Sequence, residues 1–536
     1  MNKVVVLGLD GATFDVLDPL MARGKLPNLA RIKQQGVYGD LESTFPPITA
    51  PAWLSLATGK NPGRTGVFYF LYRDKENFEF KPLGAQKFYG HSFWDYLSRA
   101  DRRVGILHYP MLYPPYPING FMVSGILSPE DDSITSPAGL KAELDAAAGG
   151  YRIKVNYADP QYRRREKHLF HELMQILEKR TQALLYLIQN RPTDLLFAVF
   201  SATDWAQHYF WKFWDDSHNH HDPRRAREGR RYFEQIWEKV DEIVGRIRDA
   251  IDPGTDLILV SDHGFGPVDQ TFYVNTWLRQ QGYLVRRQNK SVTTAFRKGL
   301  YGPLEKMGGW LLSRLPALTP WARRLGHALK PQPADWIDFE RSRAFALRQN
   351  LTCGMIYLNV PDPDQFESLR REIANRLTEL PRQLDMPFAI EVYNREDLYH
   401  GECVHLAPAL FFKINNFRCA VDPRYSRELI ASRSPMSGRS GGHRLNGILM
   451  GLGPHLGRGA IPNARIVDIA PSLLHLMDCP VPPDMDGRIL PNLFPPTAAP
   501  SPAPACTELH PSPDENTLSR DDTNQVRQRL EALGYL

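Results

Sequence analysis

The sequence predicts an α/β fold: a central, mostly parallel sheet with helices on both faces, carrying insertions that cap it. Three observations predict it. Short apolar runs at residues 4–9, 195–200 and 257–260 have the length and composition of strands buried within a sheet. Segments with helical periodicity lie between them, over 163–190 and 225–251. Each run is followed within a few residues by side chains that can bind a metal, and open parallel sheets collect ligands beyond the carboxyl ends of their strands.

The elements follow in order. Val4 to Leu9 is a buried strand that ends at Asp10 and Gly11; 27–35 reads as a helix and 37–42 as a strand. In TFPPITAPAWLSLATG, residues 44–59, Pro51 suits a helix start and places Thr49 at or near the cap. A helix start favours an anion, so Thr49 stands where a phosphate would sit, although a threonine there can also be an ordinary cap. Residues 93–99 read as a helix, 104–107 and 121–123 as strands. The basic start of the next helix (Arg163, Arg164, Arg165, Lys167) reads as a solvated face. After the strand 195–200, Asp204 and His208 are spaced to share one helical face and grip one ion. DDSHNHHD, 215–222, is rich in ligands but has no periodicity to aim them, and reads as a solvated loop. The strand 257–260 ends at Asp262 and His263, and glycines 264 and 266 let the chain turn away. His443 stands in a glycine-rich loop before another buried strand, 447–452, and 466–477 reads as a strand end and helix.

Composition narrows the class. With 536 residues, 42% of them hydrophobic, the chain can bury a large core, and a net charge of +5 gives no general basic field of the kind nucleic-acid duplexes require. Five dispersed cysteines without a C-x-x-C pair read as reduced thiols. The amino terminus lacks a signal-peptide pattern and no apolar run has transmembrane length, so the expected location is the cytoplasm.

The expected organisation is a catalytic core over 1–285, with a cap insertion at about 70–190, a basic insertion or cap over 286–418, and the rest of the core over 419–494. A proline-rich linker over 495–515 and a terminal helix over 516–536 complete it. Between 286 and 330, ten Lys or Arg oppose a single acid, Glu305, and are interleaved with Trp310, Leu311, Leu312, Leu315, Leu318 and Trp321. That pattern suits a lid with its apolar face inward, or peripheral contact with an anionic membrane.

Asp10, Asp204, His208, Asp262, His263 and His443 make six N/O ligands, too many for one tetrahedral ion and suited to two. Mixed His and carboxylate shells fit zinc, with manganese or iron compatible. Paired ions suit in-line displacement at phosphorus, and Thr49 can be the nucleophile.

GLDG at 8–11, FPPITAPAW at 45–53 with ATG at 57–59, D-x-x-x-H at 204–208, SDHG at 261–264 and GGH at 441–443 together resemble the alkaline phosphatase superfamily, most of all its type I phosphodiesterase and nucleotide pyrophosphatase family. The resemblance implies that Asp10, Thr49, Asp262 and His263 hold one zinc, that Asp204, His208 and His443 hold the other, and that Thr49 attacks phosphorus. Ala52 stands where nucleotide-hydrolysing members usually carry an Asn that helps hold a phosphate oxygen, which weighs against nucleotide diesters. The Cys or Ser and the Arg of the sulfatase C/S-x-P-x-R pattern are absent from the Thr49 stretch.

The function expected is a two-metal hydrolase of phosphate esters, diesters or pyrophosphates first, acting through a phospho-threonine on a small-molecule or lipid-linked substrate. The same machinery would serve a phosphomonoesterase, a phosphonate hydrolase or a phosphoryl transferase. A reading of another class is a metal-binding or membrane-surface protein that keeps the fold without turnover.

Overall fold

The apolar runs form the middle of a ten-stranded sheet in this computed structural model, which describes residues 2–73, 80–155, 162, 165–287, 336–347, 353–386, 389–432, 439–495 and 518–532. The elements that position the site are β1 (Lys3–Leu9), α1 (Phe14–Ala22), α2 (Pro27–Gln35), β2 (Val37–Glu42), α3 (Thr49–Thr58), α4 (Phe93–Arg99), β3 (Val104–Tyr109), β4 (Gly120–Ser124), α5 (Glu166–Asn190), β5 (Leu195–Phe200), α6 (Ala202–Trp214), α7 (Pro223–Ala250), β6 (Thr255–Val260) and β7 (Asn446–Leu452).

Across the sheet the order is β2-β7-β6-β1-β5-β3-β4, with short strands at both edges. β1 pairs in parallel with β5 and β6, and β3 pairs in parallel with β5 and β4, while β7 runs antiparallel to both β6 and β2. The register puts Gly8 opposite both Val199 and Val260, so β1, β5 and β6 end level with one another. The residues just beyond each of these strands therefore emerge at one edge. β2 runs in the same direction as β6, so the loop to Thr49 leaves from that edge too, and β7, being antiparallel, is entered from it just after His443.

Helices flank this sheet, and the residues of its inner strands are buried, Lys3 at the start of β1 excepted. α7 shows how: its buried Tyr232, Phe233, Ile236, Trp237, Val240 and Val244 recur at helical spacing, while its other face is charged. The region 70–190 corrects an expectation. Its sequence reads as a cap insertion, but β3 and β4 lie inside it and extend the central sheet beyond β5. The sequence offers these strands only as brief apolar stretches separated by a proline-rich loop, which hides their parallel pairing.

Residues 336–347 and 353–432 build a smaller unit. The strands Ala344–Phe345, Gly354–Leu358, Leu410–Ile414 and Ile390–Asn394 form an antiparallel sheet in that order, and the helix Pro363–Gln383 packs with it around Ile356, Ile373, Leu377 and Phe412. The basic stretch from 288 to 330, with its Trp and Leu residues, lies outside the described residues, as do 496–517 of the proline-rich segment and Arg163 and Arg164. The helix Arg520–Ala532 docks through buried Val526 and Leu530, and Arg529 Nη1 donates to the Leu127 carbonyl at 2.7 Å. Among the described residues no helix is long and apolar enough to cross a membrane.

Candidate active site

All seven expected site residues meet at the common strand edge, and each is buried. Asp10 follows β1 directly, Asp262 and His263 follow β6, and α6 presents Asp204 and His208 one turn apart. His443 comes from the far end of the chain on the strand Gly441–Arg444, which pairs antiparallel with Gly264–Pro267 so that His443 stands opposite Phe265. That docking demands glycine. A Cβ on Gly441 would lie 2.4 Å from the Gln207 carbonyl oxygen, so any side chain would push His443 away from α6.

Thr49 is the first residue of α3, a step inside the position that an N-cap would take; Ile48 holds that place and uses no side chain to cap. The Thr49 hydroxyl is instead 3.4 Å from His263 Nε2. Its loop is clamped by the smaller unit: the Tyr399 hydroxyl donates to the Phe45 carbonyl, and the Phe45 ring packs against Tyr393 and Phe417 at centroid distances of 4.9 and 5.9 Å.

The side chains fall into two groups. Around His263, Nε2 lies 3.2 Å from Asp262 Oδ2 and 3.7 Å from Asp10 Oδ1. Around Asp204, Oδ1 lies 3.4 Å from His208 Nε2 and 3.2 Å from His443 Nε2, and the two histidine nitrogens are 3.1 Å apart. The His263 and His443 rings stack at 3.6 Å and join the groups, so that His263 also stands within reach of Asp204 and His443.

Each imidazole is held at its other nitrogen. His208 Nδ1 meets the Gly441 carbonyl at 2.8 Å, His443 Nδ1 the Pro47 carbonyl at 2.9 Å and His263 Nδ1 the Gly264 carbonyl at 3.1 Å. A carbonyl only accepts, so the proton sits on Nδ1 and the Nε2 lone pairs all turn inward. Two such lone pairs at 3.1 Å, from His208 and His443, repel one another unless a cation lies between them. The carboxylates say the same: Asp10 Oδ1, Asp204 Oδ1 and Asp262 Oδ2 are buried and have no hydrogen-bond donor. Burial, reinforced by their mutual repulsion, raises the pKa of Asp10 and Asp262 well above the usual carboxylate range, and burial lifts Asp204 to about 6. Burial likewise drives His208 and His263 well below the ordinary histidine value and His443 down to about 3. Neutral imidazoles facing crowded carboxylates are the donor set of divalent cations, and these residues fit such ions.

Two features escape the sequence reading. Arg439 is buried, and its charge is felt by Asp204, His208 and His443, which makes it a cation beside the second group. Its only signal in the sequence is proximity to GGH. The loop 215–222 is solvent-facing as expected, except at one residue. His218 is buried rather than solvated, and its Nε2 meets the Ser440 carbonyl at 2.9 Å while the Ser440 amide donates to the His208 carbonyl at 2.7 Å. The loop therefore braces the strand that carries His443 and takes no place among the ligands.

The type I phosphodiesterase / nucleotide pyrophosphatase family matches residues 4–399. No curated protein matches the sequence. Among solved structures, a phosphonoacetate hydrolase from Sinorhizobium meliloti 1021 in complex with phosphonoformate superposes with a TM-score of 0.53 at 14% identity, covering 88% of this chain and 94% of its own. A murine ectonucleotide pyrophosphatase / phosphodiesterase 5 in complex with AMP gives 0.50 at 13% identity, covering 92% and 100%. These likenesses show a shared fold.

Proposed function

The chain belongs to the type I phosphodiesterase / nucleotide pyrophosphatase family and is an enzyme, and on that premise we propose that it cleaves phosphate diesters or pyrophosphates through a phospho-threonine on Thr49. The observation that carries this reading is the position of the Thr49 hydroxyl, at a helix start and 3.4 Å from the nitrogen shared by both ligand groups. Asp10, Thr49, Asp262 and His263 would hold one divalent ion and Asp204, His208 and His443 a second, zinc being favoured by the mixed donors. When bound, such ions polarise phosphoryl oxygens and favour the ionised form of a hydroxyl.

The chain's own residues do the rest. Pro51 has no amide hydrogen and the Ala52 amide is used by the Ile48 carbonyl, which leaves the Thr49 and Ala50 amides as helix-start donors for a phosphoryl oxygen. Thr49 Oγ1 forms a bond to phosphorus as the ester P–O bond breaks, and the departing oxygen takes a proton. Water then attacks the phospho-threonine, releases a phosphate monoester and restores the hydroxyl. Arg439 supplies fixed positive charge beside the developing phosphorane.

Ala52 offers a phosphoryl oxygen no side-chain donor, and α3 is buried at every residue, which favours small esters over nucleotide diesters. The test is turnover of a bis-aryl phosphate against the corresponding aryl monoester by the full chain supplied with zinc. Diester turnover at least ~tenfold above monoester turnover supports the reading; the reverse preference makes the enzyme a phosphomonoesterase, and turnover of neither sinks hydrolysis of phosphate esters.

A further inference from the structure

Next to the acid-rich end of the strand edge lies a second cluster of buried polar groups, with the opposite charge. Arg180, inside α5, is buried at 1% exposure. Its guanidinium donates to the Val199 carbonyl, at 3.3 Å through Nη1, and to the Ile153 carbonyl, and it lies 5.8 Å from the centre of the Trp205 ring. Among the described residues it forms no ion pair: Asp10 and Glu130, whose charges it feels, stand beyond ion-pair distance, and its Nε is buried with no partner. A buried cation without a counter-ion is costly, and natural interiors ordinarily pair it.

Around it stand other unsatisfied groups. His108 is fully buried, and neither ring nitrogen makes a hydrogen bond of good geometry, although the Val199 carbonyl interacts with the ring. It sits where β3 breaks register with β4, between Leu107 and Tyr109, with φ of 57°, in the left-handed region. Its ring stacks on Tyr151 at 5.4 Å, and the Tyr151 hydroxyl is also buried and unpaired. The Ser124 hydroxyl, at the end of β4, is in the same state, while that of Ser201, just beyond β5, turns to Asp10. The chain is shaped to make this approach: a Cβ on Gly125 would lie 2.1 Å from the His108 carbonyl oxygen, so glycine is needed beside it.

Each of these groups can donate a hydrogen bond, and His108 and Tyr151 lie in the field of the Arg180 charge. With neighbouring strands about 4.8 Å apart, the end of β3 is roughly 10 Å along the edge from that of β1. Ser201 and the field of Arg180 both reach Asp10, so the two clusters adjoin.

We propose that Arg180, His108, Tyr151 and Ser124 form a subsite for a second anionic group, carboxylate or phosphate, carried by the same substrate whose phosphoryl group reacts at Thr49. The proposal rests on the hydrolase reading and deepens it. The substrate is then a small dianionic ester rather than one whose only charge is its phosphoryl group, and its second charge completes the partners that Arg180 lacks.

The experiment has two arms, both on the full chain as isolated and supplied with zinc. In the first, a series of aryl phosphate diesters bears a terminal carboxylate on alkyl chains of increasing length, each compared with its uncharged amide. The wild type should prefer one carboxylate ester by ~tenfold or more in kcat/KM; Arg180→Met should collapse the ratio towards one, and Arg180→Lys should restore part of it. In the second arm, malonate is titrated against thermal stability, which needs no turnover: it should raise the melting temperature of the wild type and of Arg180→Lys, and raise that of Arg180→Met distinctly less. If neither ester of any pair is turned over, the hydrolase reading fails while the malonate arm still tests the subsite. If the carboxylate gives no preference and malonate shifts all three proteins alike, Arg180 is a structural peg for the Val199 and Ile153 carbonyls and the subsite is refuted. If added malonate or phosphate activates the amide esters in the wild type alone, the anion is a free effector, and the claim that the substrate carries it is overturned.

Discussion

The two halves of one strand edge bury polar groups in opposite ways. At the ends of β1, β5 and β6, three carboxylates and three neutral imidazoles crowd together with inward lone pairs, and Asp10 Oδ1, Asp204 Oδ1 and Asp262 Oδ2 have no donor. At the ends of β3 and β4, a guanidinium gathers with hydroxyl and ring groups, and among the described residues no acid pairs with it directly, Asp10 and Glu130 acting only from a distance. Each half is unsatisfied alone, and each names its missing partner by the sign of what it lacks: cations in the first, an anion in the second. A substrate that bridges them must therefore present a phosphoryl group at one end and a charge at the other.

The comparison breaks first at the metal-ligating half, where the largest effect is expected. His208→Ala and Asp262→Ala should lose bound metal and activity together, and metal analysis of the wild type should find roughly two ions per chain, as paired-ion sites hold. Full activity after exhaustive chelation would show that the crowded carboxylates serve another purpose. Next comes Thr49. Thr49→Ala should reduce turnover by roughly 10³-fold or more while keeping most of the metal, because it removes the nucleophile and leaves six ligands, and Thr49→Ser should retain measurable turnover. An Ala variant with an unaltered rate would move the attack to water. Arg439→Ala should cost about 10²-fold in kcat, the usual loss for one donor at a developing charge. If it raises KM alone, Arg439 binds the ground state and does not favour the transition state.

The two halves also differ in how plainly the sequence states them. Asp10, Asp262 and His263 stand directly after apolar runs, and Asp204 and His208 share a helical face, so period and position point to each. His443 is legible from its glycines and the following strand. The cationic half has no such grammar. His108 does follow an apolar run, as Asp10 does, but a single histidine there has no nearby ligand to pair with. Arg180 falls on the apolar stripe of a long amphipathic helix, with Leu173, Leu177, Leu184 and Leu187, so spacing places it on the buried face. What spacing does not state is its role, because a single arginine on such a stripe has no partner residue in the sequence to pair with. The reading of 70–190 as an insertion fails for a related reason: parallel strands joined by long crossovers pair at a distance, and β3 reaches its neighbour β5 across some ninety residues of chain.

The smallest effect, and the finest test of the comparison, is the response of stability to acid. Burial, and after it the Arg180 charge, holds His108 well below its ordinary value of 6.5, so it folds neutral. A histidine with a depressed folded pKa contributes stability that is present above the unfolded value and is lost as pH falls, because the unfolded chain then binds a proton that the folded one refuses. The loss begins near pH 6.5 and approaches about 1.4 kcal/mol per pH unit for one such group. His208, His263 and His443 share the same sign, and bound metal adds to their resistance, so a zinc-saturated sample treats them alike in every variant. The difference between wild type and His108→Gln, followed as melting temperature from about pH 7.5 to 5.5, then isolates the cationic half. The wild type should lose more stability than the variant across that window, and Arg180→Met should fall between them, since it removes one of the two causes and leaves burial in place. Parallel curves for all three would mean that the His108 ring takes up its proton in the folded state, and that an acceptor already stands among the donors of β3 and β4.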